Sequence, residues 1–107
     1  QKFCLDENLR VNQQTLIKPQ FEAGRTSVGK KGIIRDPLVH QEVLADILDF
    51  TLQKNYDVEA IDYSPVTGGQ GNIEFIVHLK KSEQLGIDQS DISISQLVAK
   101  AHDKLNK

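Results

Sequence analysis

The chain has no methionine, no tryptophan and a single cysteine, Cys4, among 107 residues. One thiol excludes an internal disulfide framework and a cysteine-rich zinc site. It fits a reducing compartment, so the expected location is cytoplasmic. Long apolar runs are also missing: nothing approaches the ~20 residues that span a bilayer, and no secretory leader pattern is visible. An excess of charge of one sign is absent too. Thirteen Lys and Arg stand against fifteen Asp and Glu, a formal charge of −2, so no global basic field draws the chain onto a polyanion. Any nucleic-acid site has to be a local patch. The histidines, His40, His78 and His102, share no ligand spacing and have no cysteine beside them, so no metal site is expected. No Gly-x-Ser-x-Gly elbow offers a serine nucleophile.

What is present is ordinary for a soluble domain, with 38% hydrophobic and 26% charged residues. The length fits one small domain or part of a larger one. The sequence opens inside an apolar stretch, Phe3-Cys4-Leu5 with Leu9, read as a helix tail over residues 2–9 with Cys4 buried on its apolar face. A domain rarely begins there, so a fragment with a missing upstream part is expected.

Residues 13–18 read as a strand ending in Thr-Leu-Ile, and residues 19–36 as a long loop with Gly24, Gly29 and Gly32. Asp36-Pro37 is an N-cap followed by proline at the first helical position. Leu44, Ile47, Leu48 and Thr51 then recur at helical spacing, with Val43 and Phe50 widening the stripe and an end near Lys54-Asn55. Residues 57–63 read as a strand and residues 64–71 as a turn-rich connection. From Asn72 to Lys80, Ile73, Phe75, Val77 and Leu79 alternate with Glu74, Ile76 and His78, the pattern of a strand. The two strands have no room for a crossover helix and should pair antiparallel. Residues 81–91 are a polar linker. Ser93 with Gln96 resembles a capping box, and Ile94, Leu97, Val98, Ala101 and Leu105 trace one face of a final helix. The expected fold class is therefore α/β, the second half of a three-layer sheet that ends in an antiparallel strand pair and a C-terminal helix.

The most informative run is Thr15 to Arg25. Its short apolar strand delivers Lys18, and Pro19 keeps that lysine extended. A lysine at the carboxyl end of a buried strand sits on the rim where α/β sheets place their chemistry, although a lysine that merely snorkels from a strand end has the same signature. Glu74, between two apolar residues, is either a solvent-facing glutamate or a covered carboxylate that needs a partner, for which Lys18 is the natural candidate. Arg25, Lys30, Lys31 and Arg35 meet only Glu22 and Asp36 in the long loop; such a cluster suits phosphate contacts and equally a solvated surface. Gly68-Gly69-Gln70-Gly71 lacks the Lys-Ser/Thr ending of a phosphate loop, and a turn between strands accounts for it better.

Three stretches together resemble the TlyA branch of the FtsJ-like RNA methyltransferases. They are Leu16-Ile17-Lys18-Pro19-Gln20-Phe21-Glu22-Ala23-Gly24-Arg25; Val28 to Gly32 with Arg35-Asp36-Pro37 and His40; and Ser64 to Gly68 followed by Gly71-Asn72-Ile73-Glu74-Phe75. The match runs from about Leu16 to the C-terminus; before Thr15 the sequence departs from the family pattern. The resemblance implies that residues 1–107 are the C-terminal portion of a Rossmann-like methyltransferase domain that uses S-adenosylmethionine. The cofactor-binding half and an S4 RNA-binding domain would lie upstream, so the cofactor-binding residues are unknown in this chain.

Of the family's Lys-Asp-Lys-Glu tetrad, Lys18 matches the second lysine and Glu74 the glutamate. The implied activity is methylation of a ribose 2′-hydroxyl of ribosomal RNA by the parent protein, with no metal, ribosomal RNA or ribosomal subunits as partner and no membrane. The fragment alone would be inactive. Arg25, Lys30, Lys31 and Arg35 would contact RNA. Two other readings stand beside this one: a non-catalytic RNA-binding module, and the haemolytic activity that many family names carry.

Overall fold

Six elements follow one another in the computed structural model: β1 (Gln13–Ile17), α1 (Pro19–Glu22), α2 (Pro37–Gln53), β2 (Tyr56–Tyr63), β3 (Phe75–Lys81) and α3 (Ile94–Leu105). The structure describes residues 3–5, 12–24, 32–68 and 71–105. The strands form one sheet in the order β1-β3-β2, and β3 is antiparallel to both neighbours. β1 and β2 therefore run the same way, with the last strand inserted between them.

Local chemistry explains each boundary. Asp36 is extended, its Oδ1 accepts the Leu38 N–H at 2.9 Å, and Pro37 follows at the start of α2. The cap supplies an acceptor where a helix start has none of its own. α3 starts on Ser93, whose Oγ takes the Gln96 N–H. The alternation in β3 buries Phe75, Val77 and Leu79, and Val43, Leu44, Ile47, Leu48 and Thr51 of α2 are buried with them. Leu97, Val98 and Ala101 of α3 are fully buried in the same core. That apolar face is spent on packing. Among the described residues, no helix is long and apolar enough to cross a membrane.

The two edges of the sheet are finished differently. Along the outer edge of β2, the Val58 N–H donates to the Ile87 carbonyl and the Gln89 N–H to the Val58 carbonyl, at 3.0 and 2.7 Å. This one-residue parallel bridge covers an edge that would otherwise offer unpaired backbone groups. It depends on Gly86, where a side chain would drive its first carbon to 1.7 Å from the Tyr56 carbonyl oxygen. No described strand pairs with the outer edge of β1.

Some expectations change. Residues 3–5 are not helical; the rest of the anticipated helix tail lies outside the described residues. Phe3 and Leu5 pack against the core while Cys4 is exposed, not buried, because an extended segment turns alternate side chains to opposite sides. Phe50 is 45% exposed and so lies at the margin of the α2 stripe. The long loop opens with a helical turn, α1, which Pro19 nucleates by occupying its first position.

Candidate active site

The β1–β3 ladder ends on the pair Ile17 and Phe75. One step further out, the two strands arrive at Lys18 and Glu74. Alternation sends both side chains to the face opposite Ile17 and Phe75. Lys18 is extended, with φ −113° and ψ 91°, because Pro19 follows; it also serves as the N-cap position of α1. Residues far apart in the sequence thus reach one rim through strand register alone.

Glu74 is buried, with 7% of its surface exposed. The Nε2 of Gln20, in α1, donates to Glu74 Oε2 at 3.0 Å. On its other side the carboxylate lies against Gly68: a side chain there would put its first carbon 2.0 Å from Oε2 and 2.9 Å from Oε1. The glycine is absent of side chain so that the carboxylate can occupy that volume. Among the described residues Lys18 makes no ion pair with Glu74. The backbone around Glu74 is fixed by Ser64 N–H donating to the Glu74 carbonyl at 2.8 Å, and by Gly68 N–H donating to the Asn72 carbonyl at 2.8 Å.

Asn72 ties the end of the basic loop to this rim. It is buried, accepts the Ile34 N–H at 3.0 Å through Oδ1, and donates from Nδ2 to the Gly32 carbonyl at 2.7 Å. Arg35 follows Ile34 directly and is exposed. Arg25, Lys30 and Lys31 lie outside the described residues.

Sequence reasoning missed Gln20, Gly68 and Asn72. Gln20 and Asn72 stand within the resembling motifs, yet nothing local announces their partners, which are far away in the chain. Gly68 carries a signal, a glycine run, that a turn explains as well as a tight contact does.

On the other face of the same strand end, two histidines meet. His40 Nδ1 and His102 Nε2 are 2.7 Å apart, and the His40 ring stands edge-on to Phe75 with centroids 5.8 Å apart. His40 is fully buried, and its Nε2 has no hydrogen-bond partner. Burial, and then the neighbouring His102, push its pKa from the ordinary 6.5 down to about 4, against the opposing pull of Asp36. Burial lowers His102 too, again opposed by Asp36. Among the described residues, no group of three or more His, Cys, Asp or Glu could hold a metal ion.

Nor do the described residues form a bed for S-adenosylmethionine. The glycines at 68 and 71 belong to the connection between β2 and β3 rather than to a strand–helix turn, and the Glu74 carboxylate fills the space over Gly68. A hollow of about 230 Å³ between Phe3, Glu22, Asp46, Ile47 and Phe50 is lined mainly by apolar surface and lacks the backbone donors of a glycine-rich turn.

Comparison with known proteins gives a consistent result. The profile of the FtsJ-like methyltransferases matches residues 4–81. YqxC of Bacillus subtilis (strain 168), a candidate rRNA methyltransferase, is 47% identical over 94 residues, covering 86% of this chain and 34% of that protein. The 16S/23S rRNA (cytidine-2′-O)-methyltransferase TlyA of Mycobacterium tuberculosis (strain H37Rv) is 29% identical over 65 residues, 61% of this chain and 24% of that protein. The solved structure of a candidate hemolysin from Streptococcus thermophilus superposes with a TM-score of 0.82 at 39% identity, covering 89% of this chain and 34% of that one. The chain thus spans about a quarter to a third of the length of these relatives.

Proposed function

The chain belongs to the FtsJ-like methyltransferase family, and from that membership we propose that it carries the hydroxyl-activating end of an enzyme that methylates a ribose 2′-hydroxyl of ribosomal RNA. Residues 1–107 would be the C-terminal portion of the catalytic domain, with the cofactor-binding half and an S4 RNA-binding domain in the remainder of the parent protein. The partner would be ribosomal RNA or a ribosomal subunit, and the compartment the cytoplasm. The observation that supports the reading is the β1–β3 register, which ends on Ile17 and Phe75, the residues next to Lys18 and Glu74. The TlyA relative's named 2′-O activity supports the choice of hydroxyl.

S-adenosylmethionine, when bound by the parent protein, supplies an electrophilic methyl on sulfur. The ribose hydroxyl is a poor nucleophile at neutral pH and must lose its proton as its oxygen bonds to that carbon. Lys18 meets the hydroxyl: it orients the oxygen and takes the proton or stabilises the emerging alkoxide. Glu74 keeps the Lys18 amine in place from across the ladder. Arg35, with Arg25, Lys30 and Lys31, contacts RNA phosphates, and Asn72 anchors the Arg35 end of that segment to the rim. Phosphate contacts of this kind position the nucleic acid without reading its sequence.

The test is Lys18→Ala in the full-length protein, assayed on ribosomal subunits. Methyl transfer should fall by about 10²–10⁴-fold, while calorimetry shows cofactor affinity within about twofold of wild type. Normal turnover by the variant would remove Lys18 from the mechanism.

A further inference from the structure

Glu74 is withdrawn from water, and the residue that meets it is itself only half supplied. Gln20 presents its nitrogen to the carboxylate at 3.0 Å. A carboxylate only accepts, so the amide has no choice of orientation; turned over, it would set two acceptor oxygens against each other. This fixes the carbonyl oxygen Oε1 on the other side of the amide. There it is sealed from solvent and has no donor. Folded proteins rarely leave such an oxygen without one.

Two nearby backbone donors are already used. In α1 the Phe21 N–H goes to the Lys18 carbonyl and the Ala23 N–H to the Pro19 carbonyl, and Pro19 has no N–H to give. Among the described residues, Lys18 is a cation close by in the chain: it stands two residues upstream, on a long flexible stem, one step beyond the Ile17–Phe75 pair.

We propose that Gln20 is a positioning residue of the methyl-transfer site, holding Glu74 with its amide nitrogen and receiving the Lys18 amine on its carbonyl oxygen. The inference rests on the function assigned to Lys18 above. It adds that the carboxylate steers the lysine through a neutral amide instead of a direct ion pair. An ammonium held this way keeps two further protons for the ribose hydroxyl and the emerging alkoxide. A neutral amine also donates to Oε1, and that bond fixes the direction of its lone pair.

The full-length protein provides the test, with S-adenosylmethionine and transcribed ribosomal RNA as substrates. Gln20→Leu keeps the volume and removes both hydrogen bonds. It should lower kcat by about tenfold or more, with both KM values within about twofold. Gln20→Glu opposes one carboxylate with another and should be at least as slow. Adding Glu74→Gln to it restores a donor–acceptor pair with the roles exchanged, and should recover about tenfold over Gln20→Glu alone, a rescue that a packing role would not produce. A second measurement needs no turnover: the side-chain amide resonance of Gln20, followed by ¹⁵N NMR, should move on Lys18→Ala.

Wild-type kcat in Gln20→Leu, no rescue in the exchanged pair, or a Gln20 resonance indifferent to Lys18→Ala would each overturn the proposal. If Lys18→Ala is inactive while Gln20→Leu is not, only the role of Gln20 falls. If Lys18→Ala turns over normally, the function assigned to Lys18 falls and takes this proposal with it.

Discussion

Two polar pairs flank the start of β3, one on each face of the sheet, and they are treated in opposite ways. On the helix-covered face His40 and His102 touch at 2.7 Å, packed against Phe75. On the other face Gln20 and Glu74 touch at 3.0 Å over Gly68. Burial drives the histidines towards neutrality, so this pair works as packing that happens to be polar. The second pair is built around a residue whose ordinary form is charged, with a glycine left bare to make room for it. Position on a strand end does not decide whether a polar group serves structure or chemistry. The neighbours differ: an aromatic ring stands against the histidines, and an amide donor and a bare glycine against the carboxylate.

The comparison breaks most sharply at Gly68. A methyl group there lands within 2.0 Å of Glu74 Oε2, and a flexible side chain gives way more easily than backbone. Gly68→Ala should therefore displace the carboxylate, lowering methyl transfer by about 100-fold while the melting temperature changes by only a few degrees. Parallel activity and calorimetric measurements on the full-length protein check this; undiminished transfer would mean that the place of the carboxylate is irrelevant.

Next in size is the histidine pair. The folded-state pKa of His40, about 4, lies below the ordinary 6.5, so the unfolded chain binds the proton first. The stability contribution is complete above about pH 6.5 and is lost as pH falls from there towards 4. The loss is on the order of 2–3 kcal/mol, and His40→Phe should flatten it. Urea unfolding at pH 7.5 and pH 5 would measure both curves; equal slopes with pH would refute the assignment.

The smallest effect belongs to Asp36. Removing the cap with Asp36→Ala should cost about 1 kcal/mol, a drop of roughly 2–4 °C in the Tm of the full-length protein, leaving turnover at saturating RNA unchanged. A scanning calorimetry trace with no shift would show the cap to be redundant.

These elements were legible in the sequence to different degrees. α2 and its Asp36 cap, the alternation through Phe75, Val77 and Leu79, and the face of α3 all rest on short-range patterns, and the structure has them, although β3 starts at Phe75 and not at Asn72. Lys18 and Glu74 could be singled out because a proline and two apolar neighbours mark them locally. The pairing of β1 with β3 could not be read, because register between distant strands leaves no trace in either one. The same holds for His40 with His102, for Asn72 with Gly32 and Ile34, and for Gln20 with Glu74. The first turn of the long loop was missed because one turn of helix carries too few residues for a period to show.

The strand order has a temporal meaning as well. β1 is made before β2, yet its partner β3 follows β2, and α3, which packs into the same core, comes later still. A nascent chain that ends between residues 18 and 73 holds the lysine without the carboxylate, and one that ends within β3 has only part of the ladder. Ladders between remote segments also form late, after the long loop between them has been closed. The rim that brings Lys18 near Glu74 thus forms only once β3 is available to pair with β1.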